Sequence, residues 1–204
     1  MQKPIVSALV VVSLAAAAAT AGAAAIVGQP APALTVRDGD GESRSLAQFK
    51  GKLVVLEWWN PGCPFVGKHY GSGNMQKLQR EWTGKGVVWL TIDSSAPGQQ
   101  GYLTAADAKA TLAGKGGAPT ALLLDPDGTT GRAYGAKTTP HMFVIDRSGT
   151  VAYAGGIDDK PSTDPADVAT AHNYVSAALS ELLAGKPVTV RTSQPYGCGV
   201  KYAR

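Results

Sequence analysis

Two almost entirely apolar runs most constrain what this chain can fold into: KLVVLEWW at 52–59 and VVWLTI at 87–92. Such runs are typical of strands that are buried on both faces of a partly parallel sheet. Between them, the spacing of apolar residues over about 65–82 predicts a helix, which the Gly-Ser-Gly at 71–73 kinks or splits. A strand, helix and strand in this order form a right-handed parallel unit by default. The sequence therefore predicts a βαβ unit at the centre of the fold.

The rest of the chain adds strands on both sides of this unit. A Pro- and Gly-rich entry segment at 26–51 predicts a small hairpin, and Ser148-Gly149 marks a later hairpin turn. Further predicted elements are strands at 121–124, 142–146 and 151–154, helices at about 104–113 and 165–183, and a short helical stretch that ends near Tyr134. This order predicts one α/β domain with a mixed central sheet flanked by helices.

The first 25 residues differ in composition from all that follows. Lys3 precedes an apolar run at 5–19, and small residues end the segment at 23–25, so residues 1–25 are predicted to be a signal peptide cleaved before Ile26. The apolar run is shorter than the ~20 residues of a membrane span, although an uncleaved N-terminal anchor is the alternative. We expect a periplasmic or secreted protein without a stable membrane span, with a domain at 26–185 and a tail at 186–204 that carries Cys198.

The charge of the chain is modest and dispersed. The 204 residues carry a formal net charge of +4, and cleavage of the signal peptide would remove Lys3 and leave +3. The remaining lysines and arginines form neither a basic run nor a stripe with interleaved aromatic residues. We therefore expect no nucleic-acid partner, and we expect no cofactor.

One of the two cysteines occupies an unusual position. Cys63 lies in EWWNPGCPF at 57–65, where the chain leaves a predicted strand and enters a predicted helix. Backbone N–H groups and the positive end of the helix dipole favour the thiolate there, and Pro64 suits the first helical turn. Lys68 and His69 could add positive potential one turn later, or they could be solvated surface residues. The position predicts that Cys63 is a nucleophile.

This arrangement resembles the thioredoxin fold over roughly residues 28–185, because Thr139-Pro140 precedes a later strand and hairpin. The resemblance implies that Pro140 forms a cis peptide bond and lies against Cys63. It also implies that Glu57, six residues before the cysteine on the buried strand, assists proton transfer. The alternative for Glu57 is a strand-end residue that reaches solvent.

The same resemblance assigns a substrate-binding surface around the nucleophile. Family members often carry aromatic residues where this chain has Trp58 and Trp59. We predict that Trp59, Asn60, Pro64 and Thr139 contact the substrate.

The chain departs from the usual Cys-x-x-Cys pattern, because Val66 stands where the second cysteine belongs. Cys198 is then the only partner that the chain can offer to Cys63. Four segments together resemble a peroxiredoxin-like branch of the redoxin (alkyl hydroperoxide reductase/thiol-specific antioxidant) families: CPFVGKHY at 63–70, GGIDD at 155–159, LLAGKPV at 182–188 and YGCGVKY at 196–202. Two cysteines in an exported chain are also permitted to form a disulfide.

These observations predict an exported thiol-disulfide oxidoreductase in which Cys63 is the nucleophile and Cys198 is the possible resolving partner. Its substrate would be a thiol or disulfide protein, or a small peroxide. A peroxidase is one alternative, although Asn60 replaces the usual hydroxyl residue and only Arg132 is a conceivable arginine. A non-enzymatic module is the other, with a permanent Cys63–Cys198 staple or a copper site that uses His141. We predict no metal site, since the second closely spaced cysteine of such carriers is missing.

Overall fold

A computed structural model describes residues 25–203 of the chain. The predicted signal peptide lies outside these residues except for Ala25. The strands are β1 Thr35–Asp38, β2 Ser43–Ser45, β3 Val54–Trp58, β4 Val88–Asp93, β5 Ala121–Leu124, β6 Thr138–Thr139, β7 His141–Ile145, β8 Val151–Gly155 and β9 Cys198–Gly199. The helices are α1 Pro64–Gly71, α2 Asn74–Gly84, α3 Ala105–Gly114, α4 Thr129–Tyr134 and α5 Tyr174–Leu183, with 3-10 helices at Leu46–Phe49 and Pro165–Ala169. None of the helices within this part of the chain combines the length and apolar character that a membrane crossing needs.

Seven strands form the central sheet in the order β2-β1-β5-β4-β3-β7-β8. The β3–β4 and β4–β5 pairs are parallel, whereas the β1–β2, β1–β5, β3–β7 and β7–β8 pairs are antiparallel. The predicted βαβ unit and the mixed sheet are therefore confirmed. The two apolar runs form adjacent strands at the centre of the sheet because only there are both faces covered.

The two faces of the sheet carry separate apolar clusters. One cluster joins Val55, Trp59 and Trp89 to residues of α1, α2 and α5, and it includes Cys63. The other joins alternate strand residues such as Trp58 to Tyr134 of α4. Side chains alternate between faces along a strand, and this alternation puts Glu57 on the same side of β3 as Trp59.

Of two predicted helices, one agrees with the structure and the other does not. The helix expected over about 65–82 is split, as predicted, because Gly73 takes a left-handed conformation at φ +75° between α1 and α2. The single helix expected over 165–183 is wrong. A 3-10 helix ends at Ala169, and α5 begins only at Tyr174, after Asn173 caps it through the backbone N–H of Ser176.

The tail after α5 packs along the domain. The backbone N–H of Ala154, in β8, donates to the carbonyl of Arg191, and Val200 donates in turn to the carbonyl of Lys137. Further along, Ala96 donates to the carbonyl of Lys201. The tail therefore runs from one edge of the central sheet to the loop that follows β4.

Candidate active site

The turn between β3 and α1 is held by the side chain of Asn60. Its Oδ1 accepts from the backbone N–H of Gly62 at 2.9 Å, and its Nδ2 donates to the carbonyl of Gln100 at 3.0 Å. The backbone N–H of Cys63 closes the turn on the carbonyl of Asn60. Since the Asn60 side chain is buried and bonds within the chain, it shapes the turn, and its predicted contact with a substrate stays a prediction.

Cys63 is the N-cap residue of α1, as its sequence position predicts. Its carbonyl accepts from the backbone N–H of Gly67, and Pro64 occupies the first helical position with an exposed ring. Only 1% of Cys63 is exposed. The sulfur therefore lies at a helix N-terminus but beneath other parts of the chain.

The Thr139–Pro140 peptide bond is cis, which confirms the prediction. The carbonyl of Thr139 accepts a hydrogen bond from the thiol of Cys63 at 2.9 Å. Thr139 and Pro140 are both buried. The cis-proline turn and the predicted nucleophile thus lie in direct contact.

The second cysteine reaches the same point from the tail. β9 pairs antiparallel with β6, so that Cys198 lies opposite Thr139. Just before it, Gly197 has φ +134°, and a Cβ atom built there would lie 2.1 Å from the carbonyl oxygen of Thr139. Both cysteines are free thiols in this structure. The structure therefore brings together the two cysteines that the sequence pairs only by elimination.

The pKa values of the two thiols are shifted in opposite directions. Burial raises the pKa of Cys63, but hydrogen bonds to its thiolate, first from the Cys198 thiol and then from Thr139 and backbone N–H groups, lower it below its ordinary value overall. Burial, followed by the interaction with Cys63, raises the pKa of Cys198 to about 11. This asymmetry favours Cys63 as the attacking thiolate and Cys198 as its hydrogen-bond donor.

Glu57 is fully buried, so the alternative of a solvent-exposed strand end is wrong. Tyr70 donates to its Oε1, while Gln79, Trp89 and Thr91 donate to its Oε2, at 2.7–3.0 Å. Burial raises the pKa of Glu57 above its ordinary value, and the four hydrogen bonds lower it by less than burial raises it. The carboxyl group is thus the shared acceptor of four buried donors, and its predicted role in proton transfer stays a prediction.

The two tryptophans lie on opposite faces of the sheet. Trp59 packs in the cluster that contains Cys63, and its buried indole N–H has no hydrogen-bond partner among the described residues. Trp58 lies in the other cluster and donates to the hydroxyl of Ser94. Because Trp59 is completely buried, its predicted contact with a substrate would need a movement of the residues that cover it.

Lys68 and His69 are buried, not solvated. The Lys68 ammonium donates to the carbonyl of Lys160 at 2.7 Å and lies 3.9 Å from Oδ2 of Asp158. His69 Nε2 lies 3.2 Å from the hydroxyl of Tyr196, which donates to Oδ1 of Asp158. Asp158 and Tyr196 were missed as site residues, although GGIDD and YGCGVKY had been singled out as motifs. No local pattern marks either residue as a partner of α1.

Two other candidates lie away from the sulfur. His141 packs against Phe143 at 4.5 Å between ring centroids, on the face of the sheet opposite Cys63, and accepts from the backbone N–H of Lys137. The Arg132 guanidinium donates to the carbonyl of Ala203 and lies over a tyrosine ring of the tail. Within residues 25–203, no group of three or more His, Cys, Asp or Glu is placed to hold a metal ion. Arg132 thus contacts the tail, and His141 packs against Phe143 in the cluster on the other face of the sheet.

The mixed sheet and the thiol beside a cis-proline define this chain as a thioredoxin-like protein of the redoxin class. Residues 27–154 match the AhpC/TSA family, and the chain belongs to this family. The predicted fold and the resemblance to the redoxins are both confirmed.

The chain is similar in sequence or in structure to several bacterial proteins. The chain is 28% identical over 127 residues to the thiol-disulfide oxidoreductase ResA of Bacillus thuringiensis subsp. konkukian, a match that covers 61% of this chain and 66%, just under two thirds, of that relative. An uncharacterized conserved protein from Geobacillus kaustophilus is 25% identical and superposes with a TM-score of 0.75 over 87% of this chain and 93% of its own. The exposed lipoprotein thioredoxin Etrx1 of Streptococcus pneumoniae strain TIGR4, at 23% identity and a TM-score of 0.52 over 74% of this chain and 100% of its own, shows the fold.

Proposed function

We propose that this protein is a thiol-disulfide oxidoreductase in which Cys63 attacks the substrate and Cys198 resolves the mixed disulfide. The observation that carries the proposal is that both cysteines meet the same residue of the cis-proline turn. Cys198 pairs with Thr139 across β6 and β9, and the carbonyl of Thr139 accepts a hydrogen bond from the Cys63 thiol. A resolving thiol must reach the sulfur that it attacks, and this pairing brings Cys198 to the turn beside Cys63, whereas Val66 has no thiol.

The exchange proceeds in two steps that balance. The Cys63 thiolate attacks one sulfur of a substrate disulfide, forms a mixed disulfide and releases the other half as a thiolate, which takes up a proton. Cys198 then loses its proton to a thiolate or to water and attacks Cys63, which forms the Cys63–Cys198 disulfide and releases the second half. The substrate gains two electrons, and two external thiols, which become a disulfide, must supply two further electrons to reduce the Cys63–Cys198 disulfide again.

The named relatives support this class of reaction. ResA of Bacillus thuringiensis subsp. konkukian is a thiol-disulfide oxidoreductase, and the exposed lipoprotein Etrx1 is a thioredoxin. The substrate proposed for this chain is a protein disulfide, in a periplasmic or extracellular location that the predicted signal peptide would provide. Oxidising compartments of this kind are where protein disulfides persist.

The test traps the intermediate. Reduced Cys198→Ser and Cys63→Ser variants are mixed with oxidised glutathione, and adducts are detected by mass spectrometry. We expect a stable glutathione adduct on Cys63 in the first variant and none on Cys198 in the second, because Cys198 holds its proton more tightly.

Two other results would contradict the proposal. If neither variant forms an adduct and both lose similar thermal stability, the two cysteines form a structural staple. If Cys198→Ser turns over fully with added thiol, Cys63 is a monothiol catalyst and Cys198 is structural. Hydrogen peroxide in place of oxidised glutathione tests the peroxidase alternative, with a sulfenic acid on Cys63 as its signature.

A further inference from the structure

Three segments that are far apart in sequence meet in one cluster near the two thiols, in which three of the four residues are buried and Tyr196 is partly buried. Lys68 and His69 come from α1, Asp158 follows β8, and Tyr196 belongs to the tail. We call these four residues the tail latch. His69 and Tyr196 are 127 positions apart, and Tyr196 stands two residues before Cys198. The motifs that contain these residues thus converge on one contact.

The hydrogen bonds of the tail latch form an ordered chain. The amide of Asn74 donates to Nδ1 of His69 at 2.9 Å, so Nε2 carries the proton and donates to the hydroxyl of Tyr196. That hydroxyl donates to Oδ1 of Asp158. Burial lowers the pKa of His69 to about 4, in agreement with a neutral ring. The Tyr196 hydroxyl therefore both accepts a hydrogen bond from His69 and donates one to Asp158.

Charge and packing also hold Tyr196 in place. Lys68 and Asp158 have fully buried side chains of opposite charge, so the group carries no net charge. The ring of Tyr196 lies under the Lys68 ammonium, 5.6 Å from its centroid, and against Phe65 at 5.9 Å. The buried partners are all on the domain, and only Tyr196 is on the tail.

We propose that Tyr196 and Asp158 are positioning residues, which fix the tail so that the thiol of Cys198 rests against Cys63. The proposal rests on the proposed function and adds what controls it. β9 has only two residues, too few to hold a strand in place by themselves. Beyond Cys198 the tail is held by backbone hydrogen bonds of Val200 and Lys201 and by contacts of Tyr202 and Ala203 with the domain, whereas the tail latch holds the segment that leads into Cys198.

The tail latch also controls access to the nucleophile. Only 1% of Cys63 is exposed with the tail in place, so a disulfide reaches it only when the tail moves aside. Closing the tail excludes the substrate and delivers the resolving thiol in one movement. The strength of the tail latch then sets both the accessibility of Cys63 and the effective concentration of Cys198.

The test measures the redox equilibrium of the thiol pair. Reduced protein is equilibrated with mixtures of glutathione, in which the two thiols and one oxidised glutathione yield the intramolecular disulfide and two reduced glutathione molecules. Tyr196→Phe removes only the latch hydroxyl. Tyr134→Phe is the matched control, because its hydroxyl donates to the carbonyl of Pro32, away from the tail. Asp158→Asn is the second variant, since it retains an acceptor for the tyrosine.

We expect Tyr196→Phe to lower the equilibrium constant for the disulfide by about tenfold or more, because the lost hydrogen bond is made to a charged group. In the reduced protein the tail would then spend time away from Cys63, whereas the Cys63–Cys198 disulfide requires the tail to lie against Cys63. Asp158→Asn should give a smaller shift, and Tyr134→Phe none. Equal constants in all three variants, or an equal fall in Tyr196→Phe and Tyr134→Phe, would overturn the proposal.

Alkylation of reduced protein gives a readout that does not need turnover. Iodoacetamide should modify Cys63 several times faster in Tyr196→Phe than in Tyr134→Phe, and equal rates would count against the tail latch. Absence of an intramolecular disulfide in the unmodified protein would instead refute Cys198 as the resolving thiol, while the alkylation rates would still decide whether Tyr196 holds the tail.

Discussion

Replacing Glu57 gives the sharpest test of how the buried polar groups are satisfied. Glu57→Ala removes the acceptor of four donors, of which the Tyr70 and Thr91 hydroxyls can rotate towards other partners. The Trp89 indole N–H and one N–H of the Gln79 amide, whose other N–H donates to Tyr70, have fixed directions and would be left unpaired. Each unpaired buried donor costs about 1–3 kcal/mol, so the loss is ~4 kcal/mol, a large part of the ~5–15 kcal/mol that stabilise a domain.

Glu57→Gln is the matched variant of the same size. Its amide oxygen can take the place of Oε2 and accept from Gln79, Trp89 and Thr91, while its NH₂ group donates to Tyr70, whose hydroxyl turns round. We expect a loss of ~1 kcal/mol in this case. The variant should also slow thiol exchange, because a neutral amide cannot transfer a proton as the carboxyl group would.

The measurement is urea unfolding of the reduced variants, followed by tryptophan fluorescence. Glu81→Ala serves as a surface control, since Glu81 pairs with Lys85 in solvent and its loss should not change the midpoint measurably. If Glu57→Ala were as stable as Glu57→Gln, the carboxyl group would not be the acceptor that these donors need. Unchanged exchange rates in Glu57→Gln would remove Glu57 from the proton path.

Three further variants test the charges and thiols around the site. Cys198→Ala removes the main donor to the Cys63 thiolate, so the pKa of Cys63 should rise; an unchanged pH profile of iodoacetamide alkylation would contradict this. Lys68→Met leaves Asp158 buried and uncompensated and should lower stability by ~3–5 kcal/mol, and adding Asp158→Asn should restore part of it in urea unfolding; strictly additive losses would show that the charges do not interact. His141 has a pKa lowered from 6.5 to about 4 by burial, and then by the charge of Lys137, so below pH 6.5 the unfolded state binds a proton that the folded state does not. Stability should therefore fall by about 3 kcal/mol between pH 6.5 and 4 through this group, and parallel pH curves for the parent and His141→Asn would refute the assignment.

The sequence predicts the strands well because their signal is local. The runs at 52–59 and 87–92 are long, apolar and bounded by Gly, Asn or Asp, and β3 and β4 lie within one to two residues of their ends. The helix start at Cys63 is equally local, since the Asn-Pro-Gly turn and Pro64 mark it. These positions are fixed by neighbours in sequence, which a pattern can reveal.

The break before α5 has causes outside that segment. The backbone N–H of His172 donates to the carboxylate of Asp159, and Tyr174 donates to the carbonyl of Ile157. Asn173 forms a bridge with Asp158. These hydrogen bonds hold residues 170–173 in a non-helical conformation, although the spacing of apolar residues in this segment fits a helix. The periodicity of apolar residues within a segment cannot show hydrogen-bond partners that lie more than ten residues away in the sequence.

The burial of Lys68 and His69 was missed for a similar reason. Charged residues on a short helix are usually solvated, and α1 by itself offers them no partner. Their partners are Asp158, Lys160 and Tyr196, at separations of about 90 and 127 residues. Only the fold brings these groups together, so the sequence could name the motifs but not the contact.

The close approach of Gly197 to the cis-proline turn makes a residue without a side chain part of the redox geometry. A methyl group at this position would lie 2.1 Å from the carbonyl oxygen of Thr139, the same oxygen that accepts from the Cys63 thiol. Any larger residue would act as a wedge between tail and turn, separating the two sulfurs without removing a charge or a hydrogen-bonding group. The close approach of the tail to the cis-proline turn therefore depends on the hydrogen atom that Gly197 carries in place of a side chain.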